Sequence, residues 1–339
     1  MLFSLTDTSP KVVIWCTLDQ MNLARRAAEL SGLTIIAAGS PETGQTGSLA
    51  GALGCKPCDD LRAAMVESVC DAFVMLAVGE FGMGDGATAD TRALDAAHAR
   101  GVKILSLEPV VADLADWTAL GADAPSSIAT IVRPLGMVRR ARRYHELEEI
   151  LRDFGPVHSL SLSLAGPRTE GSLAARLLSA LDCAGAIIGE PVAVAGTLSA
   201  RSMRSENRLR SLSGDCAASL RTATGQVGSL MLCDRIARHD LQLTLHGDGG
   251  VVRYQTDSLL WLGKDGVPVE TSSFGPQSAV TGARLLADEL SRQLYPGAAE
   301  HGPVLWASVL AAAQAVLLSA ATGQVESPET IRRMNGLAG

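Results

Sequence analysis

Short apolar runs near the start of the chain restrict its fold more than any other feature. They are Lys11–Cys16 (KVVIWC), Leu33–Ala38 (LTIIAA), Ala72–Val78 (AFVMLAV) and the segment opening at Val102–Leu107 (VKILSL). The first three lack the apolar–polar alternation of a half-exposed strand, so they predict strands buried on both faces. Helical patterns separate them at Leu23–Leu30, Leu49–Leu53, Asp60–Val69 and Thr91–Arg100. Asp59 or Asp60 can cap the third helix, and Gly101 closes the fourth. Buried strands alternating with helices build a parallel, doubly wound α/β domain. The glycines at 79, 82, 84 and 86 follow a later strand than a dinucleotide turn would. With Glu80 and Asp85 among them, they read as a loop over the sheet's C-terminal edge, not a phosphate cradle.

After about residue 125 the pattern changes. Arg139–Leu151 (RRARRYHELEEIL) predicts a charged helix, and Arg142 and Glu146 stand one turn apart on a solvated face. Val157–Ala165 (VHSLSLSLA) alternates strictly, as a strand with one wet face does. Leu173–Ile188 is helical. Further strands are expected at Pro191–Ala200, Cys216–Thr222, Val227–Leu232, Leu241–His246 and Val251–Gln255, with turn signals at Asp248-Gly249-Gly250 and Lys264-Asp265-Gly266. Ser202–Ser213 reads as a polar loop. Val304–Ala321 is apolar but contains Ser308, Gln314 and Ser319, which points to a buried helix ending at Gly323 and not to a membrane span. The expected organisation is an α/β domain over residues 1–125 and an α+β domain over 126–339, with the final helix packing back.

Composition excludes several functions. The net charge is −7, so the basic footprint that neutralises nucleic-acid phosphates is missing, and aromatics at 4% leave few stacking platforms. Seven cysteines are scattered through apolar runs, which fits reduced thiols in a cytoplasmic protein. The N-terminus lacks a basic region followed by a long apolar stretch, so no secretory signal is expected. Cys55-Lys56-Pro57-Cys58 has the spacing of a zinc or redox pair, but no second pair or histidine partner accompanies it. It reads as part of a loop leading a strand. His145 and His158 stand isolated, and no metal site is expected.

The order and spacing of several stretches resemble the glucose–fructose oxidoreductase / inositol dehydrogenase / MocA (Gfo/Idh/MocA) family over almost the whole chain. They are Leu53–Leu61 (LGCKPCDDL), Cys70–Ala77 (CDAFVMLA), Gly101–Pro109 (GVKILSLEP), Leu181-Asp182 through Ile188-Gly189-Glu190-Pro191-Val192, and Ala320–Gln324 with Glu326-Ser327-Pro328. The resemblance implies an N-terminal Rossmann-like domain, a C-terminal open-faced, mainly antiparallel sheet, and a ligand cleft between them. It also implies a homo-oligomer, or a hetero-oligomer with an active paralogue, formed through that open face.

Carried over residue by residue, the same resemblance leaves the family's site degenerate. The G-x-G-x-x-G turn, whose glycines let backbone approach a pyrophosphate, is here Trp15-Cys16-Thr17-Leu18-Asp19-Gln20. Trp15 and Gln20 are expected to crowd that approach and Asp19 to repel phosphates. The ribose-binding acid after the second strand is replaced by Gly39-Ser40. In the family's E-K-P motif Glu108 takes the lysine position before Pro109. In its helix motif Ser179 takes the histidine position, Ala175 the first aspartate, and Asp182 is retained. Cofactor positions therefore fall on Trp15, Thr17, Asp19, Gln20 and Ser40, and candidate catalytic positions on Glu108, Asp182 and Ser179. Three functions remain open. The first is a binding, regulatory or partner subunit without bound NAD(P). The second is an enzyme using Glu108 with Asp182 as an acid/base pair on a sugar or polyol. The third is an NAD(P)-dependent oxidoreductase with an atypical site.

Overall fold

The computed structural model describes residues 9–82, 87–111, 113–119, 131–141, 143–199, 209–273, 282–295 and 303–337. Gly84, Asp85, Gly86, Arg142 and most of the Ser202–Ser213 loop lie outside them. The chain forms two compact units.

The first unit is built on a parallel sheet. Its strands are β1 (Lys11–Trp15), β2 (Thr34–Gly39), β3 (Lys56–Pro57), β4 (Ala72–Met75), β5 (Lys103–Ser106) and β6 (Val132–Pro134), in the spatial order β3-β2-β1-β4-β5-β6. Helices α1 (Met21–Ser31), α2 (Thr46–Leu53), α3 (Leu61–Glu67) and α4 (Ala87–Ala99) fill the crossovers. The uninterrupted apolar runs are the sheet's centre: Val12, Val13 and Phe73 are fully buried, as two covered faces require. Asp60 caps α3, accepting the Arg62 and Ala63 amides at 2.8 and 3.2 Å. Gly32, at φ 66°, closes α1. The sheet continues past residue 125 in β6, three residues too short to leave a periodic signal. The stretch from Leu286 belongs to this unit as well: the Tyr295 hydroxyl donates to the Ser31 carbonyl at 3.1 Å.

The second unit holds eight strands: β7 (Val157–Pro167), β8 (Pro191–Leu198), β9 (Asp215–Thr222), β10 (Val227–Cys233), β11 (Arg235–Gly247), β12 (Gly250–Gln255), β13 (Ser258–Leu262) and β14 (Pro268–Ser273). Their order is β14-β13-β12-β11-β7-β10-β9-β8; β7 and β10 run parallel and the other pairs antiparallel. Alternation splits the faces. Leu160, Leu162, Leu164, Leu230, Leu232, Leu243 and Leu245 are buried on one, where the helices pack. The other carries exposed Ser161, Ser219, Ser229, Met231 and Gln242.

Helices of this unit are α5 (Leu114–Ala119), α6 (Tyr144–Phe154), α7 (Leu173–Ile188), α8 (Gly282–Leu294, which runs on into the first unit), α9 (Trp306–Thr322) and α10 (Pro328–Met334). A side chain at Gly196 would meet the Val316 carbonyl of α9 at 2.4 Å, so glycine lets helix and strand backbones approach. Gly323, at φ 69°, ends α9, and among the described residues no helix is long and apolar enough to cross a membrane. The charged segment corrects the sequence pattern. Val138–Arg140 is a 3-10 turn and α6 begins only at Tyr144, so Arg139 does not lie on a solvated helix face.

Candidate functional site

Candidate positions fall in both units. In an open α/β sheet ligands meet the C-terminal strand ends where the strand order reverses, here between β1 and β4. The turn leaving β1 therefore decides what the first unit can hold.

That turn contains no glycine and folds as a 3-10 turn, Leu18–Gln20, leading directly into α1. Five of the amides from Cys16 to Met21 have partners within the chain. The Cys16 N–H donates to the Gly39 carbonyl at 3.0 Å, and the Gln20 N–H to the Thr17 carbonyl at 3.1 Å. The Met21 N–H goes to the Leu18 carbonyl. Two others meet carboxamides: Thr17 N–H donates to Gln20 Oε1 at 3.2 Å and Leu18 N–H to Gln45 Oε1 at 3.4 Å. Gln20 is buried, and its Nε2 donates to the Leu76 carbonyl just past β4 at 2.9 Å. Asp19 is exposed at the same turn.

Trp15 does not project into the turn. Its indole lies on Gly39 at the end of β2: a Cβ there would stand 2.3 Å from the ring and 2.1 Å from the Cys58 carbonyl. Gly39 thus makes room for the indole, where a nucleotide-binding sheet would present a ribose acid. Ser40, also buried, accepts the Glu42 amide at 3.1 Å and closes the next turn. A dinucleotide pyrophosphate needs outward-facing amides and a close backbone approach. In this turn the Thr17 and Leu18 amides face carboxamide oxygens of the chain itself.

Glu108 follows β5 and is half-buried; the Ser106 hydroxyl donates to its backbone carbonyl at 2.6 Å. Ser179 and Asp182 belong to the second unit. Together with Ala175 they share one face of α7, spaced four and three residues apart. Ser172 caps the helix by accepting the Ala175 amide at 3.2 Å.

Both polar groups on that face serve the fold. Ser179 Oγ accepts the Val138 N–H at 2.8 Å and donates to the Gly136 carbonyl at 3.3 Å. Asp182 takes a two-pronged bond from Arg139, Nε to Oδ2 at 2.7 Å and Nη2 to Oδ1 at 2.8 Å. Arg139 Nη2 also reaches the Pro303 carbonyl at 3.3 Å. The Asp182 side chain is 3% exposed, and the carboxylate beside it raises the Arg139 guanidinium above its ordinary pKa. Ser179 has no titrating group near neutral pH. The sequence pattern missed Arg139, which it assigned to a solvated helix, and Gln45, for which it carries no signal.

Cys55 and Cys58 flank β3 as free thiols. Burial pushes Cys58 up to about 11 and raises Cys55 as well, so both stay protonated at neutral pH. All seven cysteines are free, and among the described residues no group of three or more histidines, cysteines or acids is placed to hold a metal.

No protein-family model and no curated protein matches the sequence. Solved structures do. The myo-inositol 2-dehydrogenase of Lactobacillus plantarum is 17% identical, with a TM-score of 0.65 over 94% of this chain and 99% of that one. An oxidoreductase from Agrobacterium radiobacter, solved with NAD+, L-tartaric acid and magnesium, is 14% identical, with a TM-score of 0.67 over 96% and 100%. The chain has the Gfo/Idh/MocA fold. A levoglucosan dehydrogenase with bound NADH and levoglucosan shares it too, at 15% identity and a TM-score of 0.65 over 94% and 99%. Identities this low show the Gfo/Idh/MocA fold and nothing finer, so the chemistry has to be argued from this chain's own residues.

Proposed function

We propose that this chain is a Gfo/Idh/MocA family member that has given up nicotinamide-dependent hydride transfer and acts as a ligand-binding, regulatory or partner subunit. One observation carries the reading: both polar groups on the α7 face are committed to the fold. A hydride-transfer enzyme needs a base within hydrogen-bond reach of the substrate hydroxyl. Ser179 is spent on backbone groups, and Asp182 is held by Arg139. Glu108 stands where the family resemblance expects a lysine.

The open face of the second unit's sheet supports an oligomer. Its middle row reads Ala195, Ser219, Ser229, Ser161 and Thr244 from strand to strand. These side chains are small and uncharged, so a second sheet can approach closely along this row, which exposed Arg221 and Arg253 flank on the same face. Exposed Met231 and Val227 add apolar area.

The fold's other members favour a second reading, an NAD(P)-dependent oxidoreductase on a sugar or polyol with an atypical site, because solved structures of this fold hold NADH or NAD+. Purified protein assayed with NAD+ or NADP+ against a panel of polyols and sugars separates the two. The first reading expects no reduced nicotinamide; turnover abolished by Glu108→Gln overturns it. Sedimentation velocity tests the partner role, which expects a dimer or larger species that Met231→Asp dissociates.

A further inference from the structure

The β1–α1 turn departs from a dinucleotide turn in a specific way. It keeps the helix N-terminus and fills it from within. A carboxamide presents an acceptor and a donor on one carbon. Gln20 uses both: Oε1 accepts the Thr17 N–H at 3.2 Å and is approached by Thr17 Oγ1 at 3.4 Å, while Nε2 donates to the Leu76 carbonyl at 2.9 Å. Gln20 is only 5% exposed, and its side chain links the turn after β1 to the residue after β4, the two strands between which the sheet's order reverses.

We infer that Gln20 is a built-in occupant of this turn, and that it, rather than the missing glycines alone, excludes pyrophosphate-bearing nucleotides from the first unit. The inference rests on the reading that the chain is not a nicotinamide-dependent dehydrogenase, and it names the residue responsible. Three points converge. Gln20 takes the Thr17 amide that an incoming anion would need. Its position is the third of the glycine pattern, where a buried side chain fills the crevice itself. Gln45 takes the next amide in the same manner, through its own Oε1 at 3.4 Å, so two carboxamide oxygens accept amides that an anion would otherwise draw on. No other common side chain of this length both accepts and donates here. Glutamate lacks the donor for Leu76 and adds charge beside Asp19, and leucine leaves the Thr17 amide unpaired.

The test compares wild-type protein with Gln20→Gly and Gln20→Ala. ADP-ribose and NAD+ are titrated by calorimetry, and hydrogen exchange is read on peptides covering residues 16–22. Wild type is expected to give no saturable heat at millimolar nucleotide and a protected Thr17 amide. Gln20→Gly is expected to bind ADP-ribose at least about tenfold more tightly, the scale of one recovered hydrogen bond to an anion. In both variants Thr17 should exchange faster, and added ADP-ribose should restore its protection. Gln20→Ala serves if the glycine variant folds poorly, with the melting curve as the check.

Faster Thr17 exchange without any gain in binding overturns the inference, and so does unchanged exchange in both variants. Micromolar ADP-ribose binding by wild type, with Thr17 protected by the nucleotide, overturns it as well. The function reading fails separately, on hydride transfer by wild type. A closed turn that does not open in the variants sinks this inference and leaves that reading standing.

Discussion

The β1–α1 turn and the Ser179–Asp182 face of α7 are both filled by the chain's own side chains, but with different chemistry. At the turn a neutral carboxamide ties the chain after β1 to the chain after β4 through two hydrogen bonds. On α7 a carboxylate and a guanidinium, 3% and 16% exposed, neutralise each other. Removing half of a neutral pair leaves one dipole unmatched. Removing half of an ion pair leaves a buried charge, which costs far more. Closing the turn thus rests on neutral carboxamide contacts, whereas the α7 face is bound to the stability of the unit.

The largest expected effect breaks the α7 side of that comparison. Asp182→Ala should cost about 3–5 kcal/mol in urea unfolding, because Arg139 is left partly buried and unpaired. The double variant Asp182→Leu with Arg139→Leu should recover most of that loss. If the single variant unfolds at wild-type urea, the pair is not what holds this face.

Acid should separate the units next. Burial, with Arg176 nearby, lowers His239 in the second unit to about 4 from the ordinary 6.5, and Asp240 offsets this only partly. The folded histidine stays neutral where the unfolded one takes a proton. Stability is therefore complete above about pH 6.5 and falls as pH drops towards 4, by up to about 1.4 kcal/mol per pH unit. His239→Gln should flatten that slope, whereas the contacts of Gln20 contain no titrating group.

A backbone variant probes the first unit. Gly39→Ala puts a methyl group against the Trp15 ring and the Cys58 carbonyl, so a loss of about 1–3 kcal/mol is expected, with a shift in tryptophan fluorescence. The smallest effect sharpens the contrast within α7. Ser179→Ala should cost about 1–2 kcal/mol, since the Val138 amide loses its acceptor. A loss as large as that of Asp182→Ala would erase the distinction between neutral and charged closure.

Much of the architecture was legible before any coordinates. The apolar runs became β1, β2, β4 and β5, Leu173–Ile188 became α7 residue for residue, and the SLSLS alternation became β7 with one wet face. Such periodicities are local, so a window of ten residues carries them. Elements without period were missed: β6 has three residues, and every residue of the edge strand β14 is exposed or half-exposed. Only the turn at Lys264-Asp265-Gly266 announced β13 and β14.

The sequence offered candidate site positions and no partnerships. The order of residues by itself determined that a doubly wound sheet precedes an open-faced one, and only the family resemblance set Trp15, Asp19 and Gln20 against a glycine turn and Ser179 against a base. Only the tertiary structure decided what those residues do. Gln20 reaches Leu76 across 56 positions, and Asp182 meets Arg139 across 43. The indole of Trp15 turns onto Gly39 instead of into the turn. A hydrogen bond or ion pair forms where the fold brings two distant groups within about 3 Å. Local sequence chooses the groups, and the return path of the chain chooses the partner.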